Sequence, residues 1–348
     1  MVKRTGRVTI EEVATACGVS RQTVSNAVNF PERLAESTLA KVRAAITGLG
    51  YQPDRSARTM VRGQAGQIGF CVRNGRSEFM TSFLTALCVA LADRGSHVLL
   101  FTASREDELS VCADLLAQRA VDGFVLADVV DDDERQRWLH GRGVPFASFG
   151  RTWSGSAQSG PWVDLDGAGA IAEVVLGLHG LGHERIAFLD WTGSSGAAKD
   201  RGRGCATACR DLGLAPPLVV EAAADDPAAA EVSLRRALVG DSAPTAVVGA
   251  TDTLAVGAAR AASAAGLRVG PDLAVTGFDD SALAAAQQPA LTSVRQPLDA
   301  IVAGLAERLR DPTLDGLLVA GEVVPRESAP IATAAERSRE SSGAAAGR

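Results

Sequence analysis

The stretch that decides the N-terminal fold reads Thr9-Ile10-Glu11-Glu12-Val13-Ala14-Thr15-Ala16-Cys17-Gly18-Val19-Ser20-Arg21-Gln22-Thr23-Val24-Ser25-Asn26-Ala27-Val28-Asn29. Thr9 and Glu12 have the spacing of a capping box, in which each side chain bonds the backbone N–H of the other residue. Apolar residues follow at helical spacing, namely Ile10, Val13, Ala14 and Cys17. Gly18 interrupts the pattern, so the sequence predicts a short helix that ends in a tight turn.

A second helix is predicted directly after this turn, with Ser20 as its N-cap. Its buried stripe would consist of Val24, Ala27 and Val28. The opposite face is polar and free of acids, as a helix that reads base edges requires. That face carries Gln22, Ser25, Asn26 and Asn29, with Arg21 beside them. We expect Asn29 and Pro31 to end the helix.

A third helix is predicted from about Glu36 to Gly48, with Gly50 closing it. Two short helices around a glycine turn, supported by a third, are typical of a helix-turn-helix DNA-binding unit. A plain three-helix bundle with an ordinary solvated face would show the same pattern. Both interpretations stay open on the pattern alone.

The charge is distributed unevenly along the chain. Residues 1–62 hold ten Lys and Arg against five Asp and Glu, a net +5, whereas the whole chain of 348 residues carries −6. The remainder therefore carries −11. A basic head on an acidic body indicates a polyanionic partner for the head only.

Beyond Gln67, short apolar runs alternate with amphipathic stretches, which predicts βαβ units and parallel sheets. The strand candidates are Ile68–Val72, His97–Thr102, Gly123–Ala127, Pro145–Phe149, Ile186–Asp190, Leu218–Glu221, Ala246–Ala250, Leu273–Gly277 and Leu291–Val294. No glycine-rich phosphate-binding motif follows a strand, so nucleotide-binding versions of this architecture are not supported. The four histidines lie in no catalytic motif, which argues against an enzyme.

Several further classes are disfavoured. The basic start is followed by no apolar segment typical of a signal peptide, and no apolar run has the length of a membrane span. A cytoplasmic protein with no membrane contact is therefore expected. The six cysteines form no C-x-x-C pair and are expected to be mostly buried in a reducing compartment. His179 and His183 flank glycines at a predicted helix end, and we expect neither a metal site nor a cofactor.

The head closely resembles that of the lactose-repressor and purine-repressor (LacI/GalR) family of bacterial regulators, from Val8 to Asn29 and again from Leu49 to Asp54. The resemblance extends to about Ser328. It is carried in the body by the segments Gly180–Leu189, Ala250–Ala258, Pro271–Asp280 and Leu291–Pro297.

The resemblance implies an α/β fold: a periplasmic-binding-protein-like (type I) body of two parallel-sheet subdomains, with an N-terminal all-α helix-turn-helix head. The expected domains are a head at 1–50, a hinge at 51–64, an effector-binding and dimerisation body at 65–331, and a disordered tail at 332–348. The implied function is that of a dimeric repressor of double-stranded operator DNA, switched by a sugar-like effector. An activator or a corepressor-dependent regulator is the alternative; a solute-binding protein is a distant one.

By position in the family, Arg21 and Gln22 would touch bases in the major groove and Ser25 a phosphate. Asn26 stands where arginine is usual, and asparagine prefers adenine, so we expect a half-site that differs there. Met60 stands where a leucine wedges into the minor groove. The remaining expected DNA-contacting residues are Thr9, Ser20, Thr23, Asn29, Tyr51, Arg55, Ala57 and Arg58.

For the effector, the resemblance implies hydrogen bonds from Arg201 and to Asp279. Thr251 replaces the usual asparagine, and Gly150 stands where many relatives carry aspartate, followed by Arg151 as a further candidate. These departures argue against a simple monosaccharide with many hydroxyls. Phe79 and Trp191 are stacking candidates that could equally belong to the core. Asp252 is expected to be structural.

Overall fold

The computed structural model describes residues 8–51, 65–73, 78–153, 158–333 and 336. Three helices form the head, α1 (Ile10–Cys17), α2 (Arg21–Asn29) and α3 (Glu36–Leu49). A 3₁₀ turn at Pro31–Arg33 connects the last two. Helix α3 ends one residue later than predicted, and Gly50 is its C-cap as expected.

The predicted caps set the boundaries of the first two helices. The Thr9 N–H donates to Glu12 Oε2 at 2.9 Å and the Glu12 N–H donates to Thr9 Oγ1 at 3.3 Å, which completes the capping box. Gly18 has φ +62°, a left-handed conformation that a residue with a side chain adopts only at a cost. Ser20 Oγ accepts from the Thr23 N–H at 3.0 Å and so begins α2. The helix-turn-helix geometry is therefore fixed locally.

The first body sheet has six strands in the order β11-β5-β4-β3-β1-β2, and every pair is parallel. These strands are β1 (Gln67–Cys71), β2 (His97–Phe101), β3 (Gly123–Leu126), β4 (Phe146–Phe149), β5 (Trp162–Asp166) and β11 (Leu317–Ala320). The helices between or against them are α4 (Glu78–Ala92), α5 (Glu108–Ala117), α6 (Glu134–His140) and α12 (Leu298–Arg310). Phe70, Phe83 and Leu87 are fully buried between this sheet and α4.

The second sheet has the order β7-β6-β8-β9 and is also parallel throughout. Its strands are β6 (Ile186–Trp191), β7 (Leu218–Ala222), β8 (Ala246–Gly249) and β9 (Ala274–Thr276). The helices around it are α7 (Gly167–Gly180), α8 (Gly196–Asp211), α9 (Pro227–Ala237), α10 (Asp252–Ala264) and the short α11 (Ala282–Ala285). The fold is thus two parallel-sheet subdomains with an all-helical head, as predicted.

The Leu291–Val294 candidate pairs in both directions, because Thr292 forms a parallel bridge with Thr276 of β9, as expected, and an antiparallel pair follows it. The strand there is β10 (Ser293–Arg295), and it pairs antiparallel with β12 (Glu322–Val324). The chain passes from β10 into α12 on the first sheet and returns through β11 to β12. Antiparallel pairing arises because β12 comes back along the connection between the subdomains rather than through a βαβ crossover.

Three strands had no candidate in the sequence: β5, β11 and β12. Strand β5 reads Trp162-Val163-Asp164-Leu165-Asp166, and its two carboxylates hide the apolar run that marked the other strands. Strand β11 pairs with β5 across about 150 residues of chain, with Leu317 opposite Val163. Pairing at such a separation leaves no signal in the local sequence.

Candidate functional site

The exposed face of α2 is the candidate DNA-reading surface. Arg21 and Gln22 are exposed, and Ser25 and Asn26 are half-buried. Gln22 Nε2 donates to Asn26 Oδ1 at 3.1 Å, so the two amides are held as a pair one turn apart. Arg21 Nε lies 3.2 Å from Glu11 Oε1 at the end of α1, with both side chains exposed. A contact of this kind is weak in water and gives way readily to a phosphate or base.

Asn29 departs from the predicted reading face. It is only 7% exposed, and its Nδ2 donates to Ser25 Oγ at 3.4 Å. The helix ends at Asn29, where the last turn bends into the head core. Its side chain is therefore buried at the end of α2, unlike those of Arg21 and Gln22.

The other residues of the head that are expected to contact DNA also stabilise the fold of the head. The hydroxyls of Thr9 and Ser20 cap α1 and α2, and Ser20 Oγ lies 2.8 Å from Thr23 Oγ1. Tyr51 packs against the head core around Val13, Val24 and Val42. The hinge candidates lie outside the described residues: Arg55, Ala57, Arg58 and Met60.

Between the subdomains lies a cavity of about 350 Å³. It is built from the carboxyl ends of strands in both parallel sheets, the position at which open α/β sheets bind ligands. Phe70 and Cys71 end β1 and Val72 and Arg73 follow it, Ala127–Val129 follows β3, and Trp191 ends β6. Of the predicted effector residues, the structure brings five together at this cavity: Phe79, Trp191, Arg201, Thr251 and Asp279.

Arg201 and Asp279 both line the cavity and are half-buried. Arg201 Nη1 donates to the Ala250 carbonyl at 2.7 Å, and its guanidinium lies 3.5 Å from the centroid of the Phe278 ring. Burial lowers the pKa of Arg201, while the charge of Asp279 opposes that shift. The charges of Asp164, Asp225 and Asp252 oppose that shift as well.

Asp279 is held in an unusual backbone conformation, with φ +105°. Its N–H donates to the Val294 carbonyl at 2.8 Å, and its Oδ1 accepts from Gln296 Nε2 at 2.7 Å. Burial raises the pKa of Asp279 to about 7, against the opposing effect of Arg201. A backbone conformation of this kind costs free energy, and it persists only where surrounding contacts hold the residue in place.

Asp164 is a cavity residue that the sequence did not reveal. It lies on β5, is 5% exposed, and its Oδ2 has no hydrogen-bond partner among the described residues. Burial raises its pKa to about 6, and Arg151 opposes that shift, with Nε 3.2 Å from Oδ2. The alternation of Val163, Asp164 and Leu165 is the signal that could have identified both the strand and the inward-facing acid.

The Thr251 hydroxyl is already engaged. It caps α10 by accepting from the Leu254 N–H at 3.2 Å and donates to Asp225 Oδ1 at 2.7 Å. Asp225 also lines the cavity, and burial raises its pKa. Thr251 is smaller than the asparagine usual at this position. Its hydroxyl holds the Asp225 carboxylate at the cavity.

Asp252 has the predicted structural role. Its carboxylate accepts from the Ser281 N–H, the Ser281 hydroxyl and the Ser293 hydroxyl at 2.6–2.8 Å. These bonds connect the start of α10 to α11 and β10. Among the aromatic candidates, Phe79 lines the cavity while also packing on Phe83 and Phe149, with ring centroids 6.3 and 5.9 Å away.

Arg151 does not line the cavity but connects its two halves. Its guanidinium lies between Asp164 of the first subdomain and Asp200 on α8 of the second, 3.5 Å from Asp200 Oδ2. Trp153 follows it and packs on Gly196 at the start of α8. At another point of the cleft, Glu78 Oε1 accepts from the Ala282 N–H at 2.9 Å. The cleft is therefore closed in this structure.

Within the described part of the chain, no group of three or more His, Cys, Asp or Glu side chains could hold a metal ion. In the same part, none of the helices combines the length and the apolar character needed to cross a membrane. Cys17, Cys112, Cys205 and Cys209 are buried, whereas Cys71 is half-buried and Cys88 is exposed.

Comparison with known proteins agrees with this geometry. Residues 9–54 match the family described as "Bacterial regulatory proteins, lacI family", and residues 175–331 match a "Periplasmic binding protein-like domain". Over 317 residues the chain is 31% identical to the HTH-type transcriptional regulator CelR of Thermobifida fusca, covering 89% of this chain and 93% of that protein.

Two solved structures are informative. The lac repressor dimer bound to operator and the anti-inducer ONPF has a TM-score of 0.80 at 25% identity, covering 94% of this chain and all of that one. A CelR–cellobiose complex has a TM-score of 0.67 at 28% identity, covering 92% of this chain and all of that one.

Proposed function

Because the chain belongs to the LacI family of bacterial regulatory proteins, and is thus a DNA-binding transcriptional regulator, we propose that it is a repressor switched by a small molecule. Its head would read operator DNA in the cytoplasm, and its body would bind an effector. The cleft would bind its ligand and catalyse no reaction. The observation that carries the proposal is the closed cavity, in which Arg201, Asp164 and Asp279 converge from two subdomains.

The DNA-binding form would be a homodimer. Two copies of the polar α2 face would read a pseudo-palindrome whose half-sites are centred about 10 bp apart, one helical turn. The likeness to a dimeric lac repressor on its operator supports this arrangement. Arg21, Gln22 and Asn26 would contact bases. Asn26, held by Gln22, would favour adenine.

The hinge segment 51–64 would join each head to its body at 65–331, leaving 332–348 as a tail. Arg55 and Arg58 would neutralise phosphates, and Met60 would insert between base steps in the minor groove. Ala57 would face the DNA beside them. Support for this part comes from the residue types and their spacing.

The effector would be sugar-like and would occupy the cavity. Carboxylates accept hydrogen bonds from hydroxyl groups, and the Arg201 fork donates to oxygen acceptors. Phe79 and Trp191 supply apolar surface on opposite subdomains. The cellobiose bound in the CelR complex, a structurally similar protein, supports a carbohydrate.

Coupling would follow from differential binding. An effector that stabilises the closed cleft shifts the equilibrium between two body arrangements. Operator affinity then changes by the coupling free energy between the two sites, and the operator changes effector affinity by the same factor. An inducer would weaken operator binding. A corepressor, or an activating ligand, would use the same cavity with the opposite sign.

The direct test is selection of random duplex DNA on the purified full-length protein at near-physiological salt, since phosphate contacts make affinity salt-dependent. We expect an inverted repeat, and loss of enrichment with Gln22→Ala but not with the exposed Thr47→Ala on α3. Selection of no repeat, with or without a metabolite extract, would contradict the proposal.

A further inference from the structure

The first turn of α1 carries two acids, although the expected partner of the head is a polyanion. Glu12 belongs to the capping box, in which its Oε2 accepts from the Thr9 N–H at 2.9 Å. Glu11 lies beside it, and its side chain is 59% exposed. The Glu11 carboxylate reaches the next helix, where its Oε1 lies 3.2 Å from Arg21 Nε. An acid beside the DNA-reading helix opposes binding to phosphates, and Arg21 is the side chain on which it acts.

Arg21 is the first residue of α2 and the only charged residue on that helix. Its side chain is 73% exposed. Glu11 contacts the guanidinium at Nε, which lies on the side of the group, whereas Nη1 and Nη2 form its end. These two terminal donors match the O6 and N7 acceptors that guanine presents in the major groove. Arg21 can therefore keep its contact with Glu11 while its terminal donors read a guanine.

A phosphate contact by Arg21 has a different consequence. In a helix-turn-helix unit, the first residues of the second helix meet base edges, and the first helix crosses the DNA backbone. If Arg21 turned to a phosphate, it would leave the Glu11 carboxylate without its counter-charge close to that backbone. Like charges repel, and the repulsion grows as the DNA displaces the surrounding water. The two ways in which Arg21 can meet DNA thus differ in free energy because of Glu11.

We propose that Glu11 is a positioning residue that directs Arg21 to a guanine of the half-site and away from the phosphates. It thereby raises specificity at one base at the expense of affinity for DNA in general. The ion pair alone is weak in water, so its effect arises from the difference between the two bound states. The inference rests on the proposed function, in which α2 reads the operator, and it adds the base that Arg21 reads.

The first measurement is quantitative selection of random duplexes on the full-length protein and its variants. Arg21→Met identifies the base that Arg21 reads, as the one symmetric position at which a guanine preference is lost. Glu11→Gln keeps the size and polarity of the side chain and removes its charge. It should reduce that same guanine preference about fivefold or more, and it should leave the preference at every other position unchanged.

The second measurement is fluorescence anisotropy on a duplex of scrambled sequence over a range of salt concentrations. Glu11→Gln should bind this duplex at least about threefold more tightly than wild type, with a steeper salt dependence, because Arg21 then neutralises an additional phosphate. Glu36→Gln is the matched control, since it removes the same charge from the first turn of α3. It should change neither the salt dependence nor the guanine preference. Glu11 and Glu36 are both exposed, so neither substitution disturbs the core of the head.

Several outcomes would overturn the proposal. They are an unchanged guanine preference in Glu11→Gln, an equal change at every base position, the same affinity for the scrambled duplex as Glu36→Gln, and no lost preference in Arg21→Met. In each of these cases wild type still selects an inverted repeat, so the proposed function stands. A wild type that selects no repeat overturns the proposed function itself, and this inference with it.

Discussion

The indole ring of Trp153 lies against Gly196, so that a β-carbon at Gly196 would overlap the ring. Trp153 follows the first sheet, and Gly196 begins α8 of the second subdomain. This contact lies beside the ion pair between Arg151 and Asp200. Closure of the cleft therefore depends on glycine at position 196, where any side chain would overlap Trp153.

The variant Gly196→Ala should open the cleft without unfolding either subdomain. The methyl group displaces Trp153 or separates the walls, because Trp153 lines a cavity that is already closed. Small-angle X-ray scattering should show a larger radius of gyration, with the thermal midpoint changed by a few degrees at most. Gly180→Ala is the control, since nothing lies within 4 Å of its β-carbon position. An unchanged radius for both variants would contradict the role of this contact.

Asp164 should make stability depend on pH. Its folded-state pKa is raised to about 6 from an ordinary 3.8, so the native state binds more protons than the unfolded chain between these values. Its stabilising effect is present at low pH and is lost as pH rises towards and through 6. Between pH 4 and pH 7.5 this loss is about 2 kcal/mol.

Urea denaturation of wild type and Asp164→Asn across that range checks this prediction. The variant lacks the titrating group, so its free energy of unfolding should gain on that of wild type as pH rises. Asp211→Asn, an exposed acid at the end of α8, should follow the wild-type curve. Parallel curves for wild type and Asp164→Asn would show that Asp164 titrates normally.

Asn26 should determine one base of the operator. Asn26→Arg should change the preferred base at a single symmetric position from adenine to guanine, because arginine pairs with guanine O6 and N7. Sequencing of selected duplexes measures this directly. Thr47→Arg adds the same charge to α3 and should leave the preferred sequence unchanged. A guanine preference already present in the wild type would refute the assignment.

Asn29 should affect stability rather than sequence preference. Asn29→Ala removes a buried amide that donates to Ser25, which should cost about 1 kcal/mol of head stability. Affinity for all duplexes should fall uniformly, and the selected repeat should stay the same. A changed base preference in this variant would place Asn29 in the groove after all.

The sequence predicted what depends on local chemistry. The Thr9 and Ser20 caps and the turn at Gly18 each involve residues within four positions of one another, and the structure contains all three. The apolar runs likewise identified the strands of both sheets except β5 and β11. Asn29 was predicted on the reading face from its position along the helix, and the structure shows that its side chain is buried at the end of that helix.

The cleft was less accessible to prediction. Arg201 and Asp279 could be proposed from the family resemblance, and the structure brings them to one cavity. Asp164 was missed because its charge interrupts the apolar run by which the other strands were predicted. The contact of Trp153 with Gly196 joins segments far apart in the chain, so only the folded structure reveals it.

If the state of the cleft controls DNA binding, a variant that opens the cleft must change operator affinity. This is tested most directly by fluorescence anisotropy of the selected operator with wild type and Gly196→Ala at one salt concentration, because Gly196 lies in the body cleft and not in the head. We expect a change in operator affinity of about fivefold or more for Gly196→Ala, with Gly180→Ala matching wild type. Identical affinities for Gly196→Ala and wild type, with the cleft shown by scattering to be open, would contradict it.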